Sequence, residues 1–472
     1  MHGRREADVL TPILKVNKKT PIYEQLYHYL RTEIEAGRLS EGFHLPSKRK
    51  FAAHLKISQG TVEAAYSQLL AEGYIYSLEK RGYYVCRMEE GTLLHHSAKK
   101  AAPSIVIPIQ DDHRFVLSTG RVDTDHFPFA AWAKLMREVL SMESDSLLRP
   151  LDPQGDASLR TGIVRYLHDF RGIEAAPEQI ILGAGSEYLL SLITQLLPRE
   201  NLYAIEDPGY RKTEHILHAN GIRTVPVPLN QTGMDVDALE ASGADVAHVT
   251  PSHHFPLGIV TPVGQRQRLL SWAARADRYI IEDDYDSEFR FSGKPIPALQ
   301  SLDAQERVIY LNTFAKTLAP SLRISYMVLP AHLLKKYRET LLFYSCTIPS
   351  FEQRTLALFL ARGYFERHLH RMRKIYKSRR DAFMEGLRNS WDKINFSGAD
   401  SGPHLLLTVK NGMSEGELIR TAAEKSVQLT PLSSYYTNGC TFSPTVVAGY
   451  SGYHSEELRK AARLLRAAWF DT

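Results

Sequence analysis

Lys316 and Arg323 stand seven residues apart in YLNTFAKTLAPSLRISYMVLP, a stretch whose other residues read as two buried strands and a tight turn. A lysine framed by apolar strands must keep its charge in water, find an anion, or give the charge up chemically. Asp283 in IIEDDYDSEF directly follows another apolar run, with Tyr285 two residues on. GAGSE, Gly183 to Glu187, joins an apolar run to an amphipathic one, so its small residues let backbone N–H groups and the Ser186 hydroxyl meet a phosphate at a helix N-terminus. Together these parts call for a ligand with a phosphate, a basic ring nitrogen, a phenolic oxygen and an aldehyde. Pyridoxal 5′-phosphate carries all four, with Lys316 as the Schiff-base lysine and a carboxylate holding the proton of the ring nitrogen.

Such residues need a frame that aims them at one point. From about residue 115, short apolar runs alternate with amphipathic segments: QIILGAG then SEYLLSLITQLL, NLYAIEDPGY, TVPVPL, VAHVTPS, YIIEDDY, VIYLNTF and RISYMVLP. This rhythm predicts an α/β domain with a mainly parallel sheet covered by helices. Ligands on such sheets bind at the carboxyl ends of the strands, where Ser186, Asp283 and Lys316 fall.

The N-terminal fifth has a different pattern. TPIYEQLYHYLRTEIEAGRL sets Ile22, Leu26, Tyr29, Leu30 and Ile34 on one helical face, with Pro21 suited to the first turn. Ser47 is placed to cap a short helix carrying Phe51, Ala52 and Leu55. Ser58 is placed to cap another carrying Val62, Ala65, Tyr66, Leu69 and Leu70, which Gly73 ends. YIYSLEKRGYYVCRM then alternates around EKRG as a hairpin wing. A winged helix-turn-helix follows, with Ser47, Lys48, Arg49 and Lys50 grouped at a helix N-terminus to hold phosphate. Ser58, Gln59 and Thr61 open the helix that enters the major groove, Tyr66 is assigned to the same DNA-binding set, and Arg81 and Gly82 stand at the wing tip.

Charge agrees with this division. Residues 1–88 hold 14 Lys+Arg against 9 Asp+Glu, an excess of 5, and the whole chain of 472 residues holds 58 against 53, also 5, so the remainder is neutral. Between the modules, EEGTLLHHSAKKAAPSIVIPIQDDHR keeps no period and reads as a tether. The domains expected are thus 1–88, a linker 89–114, and 115–472. Cys86, Cys346 and Cys440 are isolated, and His95 and His96 have no completing ligands, so neither a disulfide framework nor a metal site is expected. No apolar run approaches the roughly 20 residues that span a bilayer, and a cytoplasmic location without membrane contact is expected.

Residues 45–85, LPSKRKFAAHLKISQGTVEAAYSQLLAEGYIYSLEKRGYYV, resemble the winged helix of GntR-superfamily bacterial regulators. Ser58-Gln59-Gly60-Thr61 differs from the Ser-Arg-Asn-Thr common there, so no operator sequence carries over from that resemblance. From Phe115 onward the chain resembles fold-type I aminotransferases, which implies a large domain with a smaller C-terminal α+β subdomain. That resemblance makes Lys316 the Schiff-base lysine, Asp283 the partner of the ring nitrogen, Tyr285 the donor to the phenolic oxygen and Tyr210 the stacking aromatic. It makes Ala184, Gly185, Ser186, Thr313 and Arg323 the phosphate cup. The fused arrangement is that of MocR-type regulators and implies a head-to-tail homodimer on double-stranded promoter DNA. Similarity is greatest to PdxR-like and GabR-like members. AGYSGYHSEEL carries Gly452 where GabR-like members place a carboxylate-binding arginine, and Lys212 stands for a second one. Losing charge-assisted bonds to a buried carboxylate costs roughly 2–5 kcal/mol. A PdxR-like regulator of vitamin B6 synthesis genes, whose effector is pyridoxal phosphate itself, is therefore the expectation. A regulator responding to GABA or another amino compound and a working aminotransferase are the alternatives.

Overall fold

The computed structural model describes residues 10–14, 20–87, 114–142, 144–291, 293, 295–437 and 444–471. The chain divides into two compact units between Ile109 and Gln110. Of the expected linker only Arg114 is described, and His95, His96 and Cys440 lie outside the described residues.

In the first unit, helix Ile22–Glu35 buries Leu26, Tyr27, Leu30 and Ile34. Ser47 caps Lys48–Leu55 by accepting the Lys50 N–H at 3.3 Å, and Ser58 caps Gln59–Ala71 by accepting the Thr61 N–H at 3.1 Å. Each cap satisfies an amide that the helix itself leaves unpaired. The wing strands Ile75–Leu78 and Gly82–Val85 pair antiparallel, and the two-residue strand His44–Leu45 joins them as a third. Leu26, Leu30, Leu45, Phe51, Val62, Leu69 and Val85 form one core beneath the three helices.

An eight-stranded sheet organises the second unit. Its order from edge to edge is Ile180–Gly183, Ser325–Val328, Val308–Thr313, Tyr279–Asp284, Val246–Val249, Leu202–Asp207, Arg223–Asn230 and Gly233–Met234. The five strands from Val308–Thr313 to Arg223–Asn230 run parallel, while Ser325–Val328 is antiparallel to both of its neighbours. Side chains alternate, so Ile180 and Leu182 enter one core and Ile181 enters the other, with helices against both faces. Ile394–Ser397, His404–Val409, Thr445–Gly449 and Thr430–Pro431 form a separate four-stranded antiparallel sheet. Helices Glu415–Glu424 and Ser455–Phe470 accompany it, giving the smaller α+β part. Among the described residues no helix is long and apolar enough to cross a membrane.

Candidate functional site

The carboxyl ends of the parallel strands open into a cavity of about 280 Å³. Gly185, Ser186, Tyr210, Asp283, Tyr285, Thr313, Lys316 and Arg323 all line it. Ala184 does not: its amide donates to Thr347 Oγ1 at 2.9 Å and its carbonyl accepts from Arg323 Nη2 at 3.1 Å, so it braces the arginine from behind. Lys316 Nζ donates to the Thr119 carbonyl at 3.0 Å, and burial pulls its pKa below the usual lysine value. A larger share of neutral amine at a given pH makes it a better nucleophile toward an aldehyde.

Pleat alternation at the end of Tyr279–Asp284 separates two neighbouring acids. Asp283 faces the cavity, whereas Asp284 is buried on the opposite face in an ion pair with Arg171 at 2.8 Å. Burial, helped by the charges of Asp284 and Asp286, pushes the Asp283 carboxyl up to about 7. His248 Nε2 lies 3.6 Å from Asp283, but burial holds that imidazole down to about 4 and therefore neutral, so it supplies no countercharge. A ring-nitrogen cation would. Tyr285 is kept a protonated phenol by burial and the acids around it, and its Oη lies 3.3 Å from His253 Nδ1, which is 2.9 Å from Asp286.

The phosphate end is built on a turn that only glycine fits. Gly185 sits at φ +101°, and a Cβ there would come 2.2 Å from Arg323 Nη2 and 2.5 Å from Glu187 Oε2. Helix Ser186–Leu196 starts immediately after it, and Ser186 and Glu187 of its first turn line the cavity. Thr313 Oγ1 accepts from Ser325 Oγ at 2.8 Å and from the Ala315 N–H at 3.1 Å, which fixes its hydroxyl at the rim. The exposed Tyr210 ring stands edge-on to Phe255, with centroids 5.6 Å apart. Amine, half-buried carboxylate, phenol, aromatic face and cationic phosphate cup thus converge on one cavity, and this donor set fits pyridoxal phosphate.

Several lining residues escape motif reading: Thr119, Gly120, Glu187, Thr250, Phe255 and His404. Glu187, to which no motif assigns a role, grips Arg323 at 2.5 Å and also pairs with Lys212. Lys212, which stands where GabR-like members carry a second arginine, is committed to an internal acid. At Gly452 a Cβ would come 2.9 Å from the Arg121 Cβ, so Arg121 occupies the space beside that position; its guanidinium lies over the Tyr453 ring at 5.4 Å.

In the winged unit, Ser47, Arg49, Lys50, Ser58, Gln59 and Arg81 are exposed, while Lys48 and Thr61 are half-buried. Lys48 pairs with Glu63 on the next helix, and Ser58 Oγ is 2.8 Å from Thr61 Oγ1. Gly82 takes φ +106°, and a Cβ there would meet His44 Nε2 at 2.7 Å, so its part is to let the wing turn close. Tyr66 corrects the sequence expectation. It is 1% exposed and its hydroxyl donates to the Pro46 carbonyl at 2.9 Å, so it belongs to the core and cannot touch DNA.

Fold and site together define a winged DNA-binding module followed by an aminotransferase-type body. The family model for aminotransferase class I and II matches residues 113–462, and that for bacterial regulatory proteins of the gntR family matches 22–85. Relatives include the HTH-type transcriptional regulator YdeL of Bacillus subtilis, 38% identical over 98% of this chain and 99% of its own. The probable rhizopine catabolism regulatory protein MocR of Rhizobium meliloti is 32% identical over 97% of this chain and 95% of its own. The pyridoxine biosynthesis regulator PdxR of Corynebacterium glutamicum is 30% identical over 94% of this chain and 95% of its own. Among solved structures, Pyrococcus horikoshii kynurenine aminotransferase in complex with PMP superposes with a TM-score of 0.67 at 25% identity, covering 76% of this chain and 91% of that one. The chain belongs to the MocR-type transcriptional regulators, a GntR-family winged helix fused to an aminotransferase class I and II domain. That family and fold imply binding of DNA and of pyridoxal phosphate.

Proposed function

We propose that this regulator senses pyridoxal 5′-phosphate itself and controls genes of vitamin B6 synthesis. The observation that carries the reading is an asymmetry of the cavity. Everything a phosphate, a pyridine ring and an aldehyde need is present, whereas among the described lining residues Arg323 is the single arginine, and it stands in the phosphate cup. A free amino acid would bring a carboxylate with no second arginine to receive it. The 30% identity to PdxR supports the same choice.

When bound, pyridoxal phosphate supplies an electrophilic aldehyde conjugated to an electron-withdrawing ring. Lys316 offers the neutral amine, Thr119 orients it, and Asp283 keeps a proton on the ring nitrogen. Tyr285 donates to the phenolic oxygen, Tyr210 covers one ring face, and Gly185, Ser186, Thr313 and Arg323 hold the phosphate. Occupancy of this site is read out as a change in operator affinity, through two winged helices of a head-to-tail homodimer in the cytoplasm. The module's exposed Arg49, Lys50 and Arg81 serve the DNA backbone, and Gln59 with Ser58 serves the base edges.

The test is an operator titration. A duplex selected from a random library by the full-length protein is titrated with and without pyridoxal phosphate, using the native chain and Lys316→Ala. The reading requires operator affinity to shift with the ligand in the native chain and to stay constant in the variant. A shift produced by GABA and not by pyridoxal phosphate would overturn it. So would multiple-turnover transamination combined with DNA binding no tighter than nonspecific.

A further inference from the structure

Glu187 lies in the first turn of the helix that the phosphate is to meet, and two cations already converge on it. Its Oε2 accepts from Arg323 Nη2 at 2.5 Å, and its Oε1 pairs with Lys212 Nζ. Arg323 and Lys212 are each half exposed and face the same cavity, and Gly185 leaves the room in which carboxylate and guanidinium meet. The two cations hold the carboxyl down to about 2. Three attractors of an anion, a helix N-terminus, a guanidinium and an ammonium, are therefore satisfied by one internal carboxylate.

We propose that Glu187 is a built-in competitor for the ligand's phosphate, and that it sets the concentration at which the regulator responds. This rests on the cofactor-sensing reading and specifies how that site is tuned. A phosphate monoester dianion entering the cup must share or take over Arg323 and Lys212 while standing close to a carboxylate of like charge. Affinity is lowered, so the site fills and empties as the ligand's concentration changes. Pyridoxal, which has the aldehyde and ring without the phosphate, has no quarrel with Glu187. The discrimination between the two ligands is thus weaker in the native chain than the cationic cup alone would give.

Ligand-free full-length protein is titrated with pyridoxal phosphate and, separately, with pyridoxal, following the absorbance of the bound chromophore. The isosteric Glu187→Gln should tighten pyridoxal phosphate on the order of tenfold or more, since one like-charge contact in a partly enclosed site is removed, and leave pyridoxal unchanged. Glu187→Ala should behave alike, and the thermal melts of both variants establish that they fold. The inhibition constant of inorganic phosphate against pyridoxal phosphate should be lower in Glu187→Gln than in the native chain. Unchanged or weaker pyridoxal phosphate binding in both folded variants, or equal tightening of pyridoxal, would overturn the inference while leaving the sensor reading intact. No binding of pyridoxal phosphate by the native chain would instead overturn the sensor reading, and this inference with it.

Discussion

Asp283→Asn separates what this carboxylate does for the ligand from what it costs the fold. In the ligand-free protein the carboxyl is pushed up to about 7 from an ordinary 3.8 by burial and by Asp284 and Asp286. The unfolded chain ionises above about 4 while the folded chain stays protonated until about 7. Stability is therefore lost as pH rises through that window and stays low above it. Three units of pKa correspond to about 4 kcal/mol at pH 8, and to less than half of that, about 1.7 kcal/mol, at pH 5. A neutral asparagine escapes the penalty. Thermal unfolding of the ligand-free large domain should thus show the variant ahead of the native chain by about 5 °C at pH 8, with a much smaller gap at pH 5. Pyridoxal phosphate should bind the variant more weakly, because the ring nitrogen loses its charged partner. A variant no more stable than the native chain at pH 8, or with a gap that grows toward acid, would refute the assignment of Asp283 as a cavity acid awaiting a cation.

Gly185→Ala should destabilise the large domain by about 1–3 kcal/mol through strain at a positive φ and weaken pyridoxal phosphate binding by displacing Arg323; a titration identical to that of the native chain would contradict the tight cup. Arg171→Met leaves the buried Asp284 without its partner and should destabilise the large domain by about 3–5 kcal/mol, read by denaturant unfolding. Tyr66→Phe removes the hydrogen bond to Pro46 and should cost the winged helix about 1 kcal/mol, while operator affinity below its melting range stays as it was. Arg49→Ala should weaken binding about equally on all duplexes and lower the slope of log affinity against log salt by about 1, as measured by titrations at several salt concentrations.

Local patterns exposed much of this in the sequence. Every apolar run named in the large domain holds a strand, and those at the centre of the sheet are continuous because strands buried on both faces need consecutive apolar residues, whereas Arg223–Asn230 near the edge is mostly not buried. Asp283, Lys316 and Gly185 were legible because each sits just past such a run, where a parallel sheet must present it. Strand direction was not legible: Ser325–Val328 runs antiparallel, and no residue type encodes that. His44–Leu45 is too short for any period to mark it. Thr119, Phe255 and His404 come to the cavity from separate segments, so no spacing links them to Lys316. Tyr66 lies on the DNA-reading helix, but its place on the stripe of Val62, Ala65 and Leu69 commits it to the core. Glu187 was visible as a letter but not as a partner, since its meaning comes from Arg323 and Lys212, far along the chain.

The identity of the amine that takes up the ligand is the most direct test of a cofactor-sensing regulator. Full-length protein incubated with pyridoxal phosphate, reduced with borohydride, digested and mapped by mass spectrometry should carry a phosphopyridoxyl group on the peptide containing Lys316, and lose it in Lys316→Ala. A label on another lysine, or none at all, would contradict the account.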